Sequence, residues 1–284
     1  MNNLEYDHAD IFPDIKAIQQ QFHLLLRTVP SGGLILAPSE DDHVNEVLHQ
    51  GCWAPVARVG GKVVRKPVQL DTGEHWCVAQ TSRDDTFEIL LNDESQGTVS
   101  WSLTGAHNRS NALNAIAAAR HAGVPVAVSI AALNQFVGVK RRMEVIFEDP
   151  HTVIYDDFAH HPTAIRSTLQ GLRDAASADE IIAIIEPRTH TMSLGTLQSD
   201  LATCCAAADR VIWFRGDNIT WDLYQLAQDC VIDARVEDDI ERLIDSLLAM
   251  PALNGDRRRH LVIMSNGAFG GIYKNIVRQF EARA

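Results

Sequence analysis

No apolar run in the 284 residues approaches the roughly 20 needed to cross a bilayer, so no helical membrane span is expected. The first residues are acidic and polar rather than basic then apolar, so no secretory leader is visible either. Cysteine is scarce: Cys52, Cys77, Cys204, Cys205 and Cys230 are odd in number and show no C-x-x-C spacing, which excludes a disulfide framework and a zinc cage and fits a reducing cytoplasm. Positive charge is short as well. Lys and Arg number 25 against 37 Asp and Glu, a formal net charge of −12, which argues against nucleic acid or an anionic membrane as partner. A phosphate-binding loop is also missing, because Gly61-Lys62 is the only Gly-Lys pair and Val63 follows where Ser or Thr would have to reach magnesium. Gly267, Gly270 and Gly271 do not fall into G-x-G-x-x-G, so nicotinamide binding is not indicated. Internal repeats and low-complexity segments are absent.

What remains is an ordinary globular composition, 46% hydrophobic and 22% charged, enough for one or two cores. Ile15, Ile18, Phe22, Leu25 and Leu26 fall at helical spacing in a helix predicted over 11–28, closed by Pro30 and Gly32-Gly33. A short strand is expected at 34–36. Apolar and polar residues then alternate over 53–101, a set of β-strands expected to be antiparallel, before helices at 108–122 and 128–135. The basic stretch Val139-Lys140-Arg141-Arg142 marks a boundary, giving domains 1–138 and 139–284. Beyond it strands at 153–156, 181–185, 210–214, 230–233 and 260–264 alternate with helices at 162–175, 197–208, 221–228, 238–249 and 272–281. The fold class is therefore α/β, with a Rossmann-like doubly wound second domain whose ligands bind at the carboxyl ends of the strands. Arg257-Arg258-Arg259 follows Asn254-Gly255 and is expected to be a solvated loop.

Several segments carry possible chemistry. Asn108 and Asn111 sit three apart at the start of a helix, on one face, and an amide offers the donor and acceptor that an adenine edge requires. The plainer alternative is that Asn108 caps the helix. Asp7, His8 and Asp10 could form a metal cluster, as in a metal-dependent hydrolase, or could cap and pack. Residues 153–165 read as a strand ending in Asp156-Asp157, a loop with His160-His161 that is more positional than catalytic, and Pro162 in the first turn of a helix. Arg188, after Glu186-Pro187, offers a fixed fork to a carboxylate. The loop Ser265-Asn266-Gly267 through Gly271 precedes the last helix, where backbone amides and the helix dipole favour an anion. Alternatively, Gly270-Gly271 simply permits close helix packing.

Four ordered motifs together resemble the Mur ligase family, the ATP-dependent enzymes that build the peptide stem of the peptidoglycan precursor. They are Leu4-Glu5-Tyr6-Asp7-His8-Ala9-Asp10-Ile11-Phe12, Asp156-Asp157-Phe158-Ala159-His160-His161-Pro162-Thr163, Glu186-Pro187-Arg188 and Met264-Ser265-Asn266-Gly267-Ala268-Phe269-Gly270-Gly271-Ile272. The resemblance implies that 1–138 is the C-terminal part of the central ATPase domain and 139–284 the peptide-binding C-terminal domain. It is strongest toward members that join L-Ala-γ-D-Glu-meso-diaminopimelate to UDP-N-acetylmuramate through an acyl phosphate. It implies ATP and Mg2+ as cofactors, with Glu5 a magnesium ligand that takes part in catalysis. A second metal-binding histidine would align near Arg27, with His23 one turn earlier. Asn108 and Asn111 would contact the base, Arg142 an ATP phosphate and Asp157 the ribose. Arg188, Ser265, Asn266 and Gly267 would receive the peptide carboxylate. Since the family's UDP-sugar domain and phosphate loop do not appear, the chain is expected to lack an N-terminal half, present elsewhere as a partner or lost. A catalytically silent binding fragment is the alternative, and an exposed apolar face prone to self-association would follow.

Overall fold

Aspartates start the helices that open the first unit. The Asp14 carboxylate accepts from Ala17 N at 2.9 Å to cap α1 (Ile15–Leu26), and Asp41 accepts from Val44 N at 2.9 Å to cap α2 (Asp42–Gln50). The computed structural model describes residues 1–61, 67–81, 85–101, 103, 105–188, 192, 197–217 and 219–283. It divides into two units, Met1–Val137 and Gly138–Ala284.

In the first unit β1 (Ile35–Pro38), β2 (Val56–Val59), β3 (Asp71–Gln80), β4 (Thr86–Leu91) and β5 (Glu94–Ser100) form one sheet in chain order. The expectation of an antiparallel set over 53–101 holds for β3, β4 and β5 only: β2 runs parallel to both β1 and β3. The β4–β5 turn places Asn92 and Asp93 at φ 51° and 66°, the left-handed pair that matches strand twist in a two-residue hairpin, whereas β2 and β3 are joined by a long connection that lets them run the same way. Helix α2 was not expected, although Val44, Val47 and Leu48 sit at helical spacing and are buried. With α1 it covers Ile35, Ala37 and Val56. Helices α3 (Ala106–His121) and α4 (Val126–Leu133) belong to the other core, with Val59, Trp76, Ile89 and Val99. Arg58, 2% exposed, is tied to Asp71 (Nε to Oδ1, 2.6 Å) and to Asn45 Oδ1 at 2.8 Å, so its buried charge is paired and bonded.

In the second unit β6 (Glu144–Glu148), β7 (Thr152–Asp157), β8 (Glu180–Ile185), β9 (Arg210–Phe214), β10 (Asp233–Glu237) and β11 (Arg259–Met264) lie in the order β10-β9-β8-β11-β7-β6. All pairs are parallel except β6 on β7. Period-two alternation sorts the side chains onto two cores. Ile181, Ala183 and Ile185 meet Leu169, Leu201 and Leu226 of α5 (Pro162–Ala175), α6 (Gln198–Cys204) and α7 (Leu223–Asp229). Ile182 and Ile184 meet Leu243, Ile244 and Ile276 of α8 (Ile240–Leu248) and α9 (Ile272–Glu281). That is the doubly wound arrangement expected. Helix α5 falls where the sequence put it, but the strand expected at 230–233 lies at Asp233–Glu237, and β6 was hidden beside the domain boundary. Arg258-Arg259 is not a solvated loop: Arg259 opens β11 and pairs with Glu180 at 2.5 Å, while Arg258 pairs with Glu148 at 2.8 Å.

The packing reading of Gly270 holds in this unit. A Cβ there would sit 2.2 Å from Ile240 Cδ1, at φ 55°. We expect Gly270→Ala to lower the unfolding free energy by about 2–4 kcal/mol in urea titration, from overpacking plus left-handed strain, and Ile240→Ala in the same chain to restore part of it. Tyr155 makes a second prediction. Its hydroxyl lies 3.0 Å from His260 Nδ1, whose Nε2 is 3.0 Å from Asp179 Oδ2, and burial pushes the phenol pKa up to about 12. The folded state thus favours the neutral phenol, a stabilisation present below about pH 10 and lost as pH rises through about 12. Unfolding titrations across that window should show the advantage of the wild type over Tyr155→Phe shrinking, and a constant difference would contradict it.

Candidate active site

Strand β11 pairs with β7 on one side and β8 on the other, Met264 lying opposite both Asp157 and Ile185. That register delivers three segments to one end of the sheet: Asp156-Asp157-Phe158, Glu186-Pro187-Arg188 and Ser265-Asn266-Gly267. This is the carboxyl end, where open α/β sheets bind ligands.

The acids here hold backbone in place. Asp157 is 2% exposed, and its carboxylate accepts from Met143 N at 2.9 Å and Ala159 N at 2.8 Å. Burial raises its pKa, against those two hydrogen bonds. It therefore clamps the entry segment to the end of β7, and the open carboxylate expected for ribose binding is not what the fold presents. Asp156, also raised by burial, receives Arg141 Nε at 3.1 and 3.2 Å. Arg141 was passed over in the sequence as part of a basic run. Its Nη2 donates to Ser265 O (2.7 Å), Gly267 O (2.9 Å) and Tyr273 Oη (3.0 Å), and its guanidinium lies over the rings of Phe158 and Tyr273. Arg142, the residue singled out, is exposed and lies 5.4 Å over Phe158, leaving its fork toward solvent. The signal for separating the two arginines is conformational rather than compositional: Arg141 and Met143 have φ 57° and 52°, a strained bend that turns adjacent side chains apart.

Ser265 corrects a second expectation. It is fully buried, its hydroxyl donating to Glu186 Oε2 at 2.5 Å and accepting from Gly267 N at 2.9 Å, so it shapes the loop rather than receiving a carboxylate. Gly267 does meet Arg188: a Cβ on it would lie 2.5 Å from Nη1 and 2.7 Å from Cδ, so the exposed Arg188 side chain rests on the bare backbone. Asn266 is half-buried, and its Oδ1 is buried without a hydrogen-bond partner among the described residues. His161 caps α5, its Nδ1 accepting from Thr163 N at 3.4 Å, and His160 Nδ1 is 2.8 Å from Phe158 O.

In the first unit Leu4 is buried and its N–H donates to Asp41 Oδ2 at 3.1 Å, which fixes Glu5 beside the N-terminus of α2. Glu5 is half-exposed and accepts from Asn3 Nδ2 at 2.7 Å. A single accessible carboxylate fits magnesium, which keeps waters and phosphate oxygens as its other ligands. His23 is placed elsewhere. Its ring packs tilted against Trp53, centroids 5.5 Å apart, and its Cε1 lies 3.3 Å from a Cβ built on Gly51, past the last turn of α2. The nine residues of α2 put about 13 Å between the two ends, too far for Glu5 and His23 to share an ion. His8, read in the sequence either as part of a metal cluster or as a packing or hydrogen-bonding residue, is exposed and held at φ 55°, with its own N–H bonded to Asp7 Oδ1 at 2.8 Å. Among the described residues no three His, Cys, Asp or Glu are grouped to hold a metal, Asp7, His8 and Asp10 included. Helix α3 starts at Ala106 with Gly105 as its cap, so Asn108 is inside the first turn and does not cap it. Asn111 is exposed and its Oδ1 accepts from Asn2 Nδ2 at 3.2 Å.

Residues 1–119 match the model of the Mur ligase middle domain, and residues 141–266 that of the Mur ligase glutamate ligase domain. The UDP-N-acetylmuramate–L-alanyl-γ-D-glutamyl-meso-2,6-diaminoheptandioate ligase of Escherichia coli is 42% identical over the whole of this chain, which spans 59% of that protein. The UDP-N-acetylmuramate–L-alanine ligase of Caldicellulosiruptor bescii is 30% identical over 74% of the chain and 44% of its own length. Among solved structures, a murein peptide ligase from Psychrobacter arcticus matches 98% of this chain and 56% of its own with a TM-score of 0.68 at 33% identity. A UDP-N-acetylmuramate–alanine ligase from Thermotoga maritima shares the fold, with a TM-score of 0.72 at 19% identity over all of this chain and 59% of that one. The chain spans less than two thirds of the length of these two curated ligases, and it belongs to the Mur ligase family, carrying its middle and C-terminal domains.

Proposed function

We propose that this chain is part of an ATP-dependent ligase that joins L-Ala-γ-D-Glu-meso-diaminopimelate to UDP-N-acetylmuramate in the reuse of cell-wall peptide. The lactyl carboxylate takes the γ-phosphoryl group of ATP, giving an acyl phosphate and ADP, and the alanine amine then displaces phosphate to form the amide. Such chemistry depends on holding anions and reactants in place rather than on a strong base, which agrees with a site whose histidines are structural. The observation that carries the reading is Arg188 laid on the bare backbone of Gly267 at the carboxyl end of the sheet, a cationic fork beside a loop of backbone amides.

The residue roles follow from accessibility. Arg188 and the Asn266-Gly267 backbone receive a peptide carboxylate, and Ser265 keeps their loop in shape. Exposed Arg142 takes a phosphate, Asn108 and Asn111 the base, and Asp157 orders the segment that carries Arg142. Magnesium, which neutralises phosphate charge when bound, would be held by the accessible Glu5 carboxylate, with waters and phosphate oxygens as its other ligands. On a domain division at 138/139, the base contacts belong to the first domain, and Arg142 and peptide recognition to the second. No described helix is long and apolar enough to cross a membrane, and with its acidic charge the chain is assigned to the cytoplasm, without nucleic-acid or membrane partners.

The test is ADP release from Mg-ATP, UDP-N-acetylmuramate and the tripeptide, using the chain with a co-expressed N-terminal part of the Escherichia coli relative. Turnover that needs the tripeptide is expected, and its absence despite both parts being folded would leave only a silent binding fragment. Gly267→Ala gives a sharper check. The new Cβ must push aside only the flexible end of Arg188, so stability should change by less than about 1 kcal/mol while tripeptide affinity falls about as far as in Arg188→Ala, on the order of tenfold. Unchanged calorimetric affinity in both variants would remove Arg188 from the site.

A further inference from the structure

We infer that Arg141 is a positioning residue that aims the peptide-carboxylate site of Arg188 and the 265–268 backbone without touching the ligand itself; this rests on the substrate reading of Arg188. One guanidinium gathers three parts of the second unit. It bonds Asp156 at the end of β7, the carbonyls of Ser265 and Gly267 after β11, and the Tyr273 hydroxyl in the first turn of α9. Its own backbone is tied down as well, Arg141 N donating to Glu144 Oε2 at 2.9 Å and Arg141 O accepting from Phe158 N at 2.8 Å.

The two carbonyls matter most. In a trans peptide C=O and the following N–H point in opposite directions. Turning the carbonyls of Ser265 and Gly267 toward Arg141 therefore turns the N–H groups of Asn266 and Ala268 away from it. Neither N–H has a hydrogen-bond partner among the described residues, whereas Gly267 N between them is used by Ser265 Oγ. Asn266 Oδ1 is also buried and unpartnered. Two uncommitted donors on a loop fixed from behind, with Arg188 resting on the intervening glycine, form a preorganised carboxylate cradle. Arg141 is the only described cation that grips that loop from its inner side. Its left-handed backbone is consistent with a conformation kept for a function, since a side chain at φ 57° is held there by its surroundings.

The experiment compares Arg141→Lys and Arg141→Ala with the wild-type full chain by amide hydrogen exchange and by calorimetric titration with L-Ala-γ-D-Glu-meso-diaminopimelate. A lysine keeps the charge but cannot serve Asp156 and two carbonyls together. Both variants should exchange the Gly267 amide on the order of tenfold faster and bind the tripeptide about tenfold more weakly, while the central amides of Ile182 and Ile263 keep wild-type protection. Three results would overturn the inference: lysine restoring Gly267 protection and affinity, Gly267 exchange unchanged in both variants, or the central amides accelerating by the same factor as Gly267. A wild-type chain that binds no tripeptide would defeat the substrate reading of Arg188, and Gly267 exchange would still decide whether Arg141 positions the loop.

Discussion

The insertion of β11 between β7 and β8 is the constraint on which the second unit depends. Both pairings are parallel and in register over all six residues of β11, from Arg259 to Met264. Three strands that are far apart in sequence therefore end at one level, and the segments after them emerge side by side. A slip of one residue would turn Val262 and Met264 from the α5–α7 core into the α8–α9 core and exchange them with Leu261 and Ile263. Since both faces are packed with fully buried side chains, the register is held on two sides at once.

From that fixed level the polar groups build inward to outward. The innermost are Asp157, buried and committed to two backbone amides, and Ser265, buried between the Glu186 carboxylate and the Gly267 amide. Arg141 and Asp156 form the next layer, a charge pair whose guanidinium also satisfies two carbonyls, so the loop after β11 carries no unpaired inner acceptors at those positions. Arg142 and Arg188 are outermost and exposed. Cations that face solvent over a rigid polar base suit recognition of anions, because little ordering remains to be done when the ligand arrives.

Much of this was legible in the sequence, for physical reasons. The doubly wound unit shows in its alternating apolar strands and helical stretches, and Pro162 marks the start of α5 because a proline is tolerated in a first turn. The motifs at 156–163, 186–188 and 264–272 fall at strand ends because that is where loops are free to vary. What could not be read was which member of a local set turns inward. Arg141 and Arg142 are chemically identical and adjacent, and only the left-handed bend at Arg141 and Met143 separates them. Asp157 and Ser265 looked like ligand contacts, since burial and backbone partners do not show in a residue's type. His23 was offered as a metal ligand through the resemblance, as the histidine one turn before the aligned Arg27, while the three-dimensional path sends Glu5 and His23 to opposite ends of α2. Helix α2 was readable from Asp41, Val44, Val47 and Leu48 but was masked by its short length and polar surface.

The central claim is that the segments after β8 and β11 form one carboxylate-binding surface. Titrating the tripeptide into the isotopically labelled chain and following the backbone amides by NMR tests it most directly. The account predicts that Arg188, Asn266, Gly267 and Ala268 shift together along one saturable curve. Shifts confined to other residues, or the two segments responding with different affinities, would contradict it.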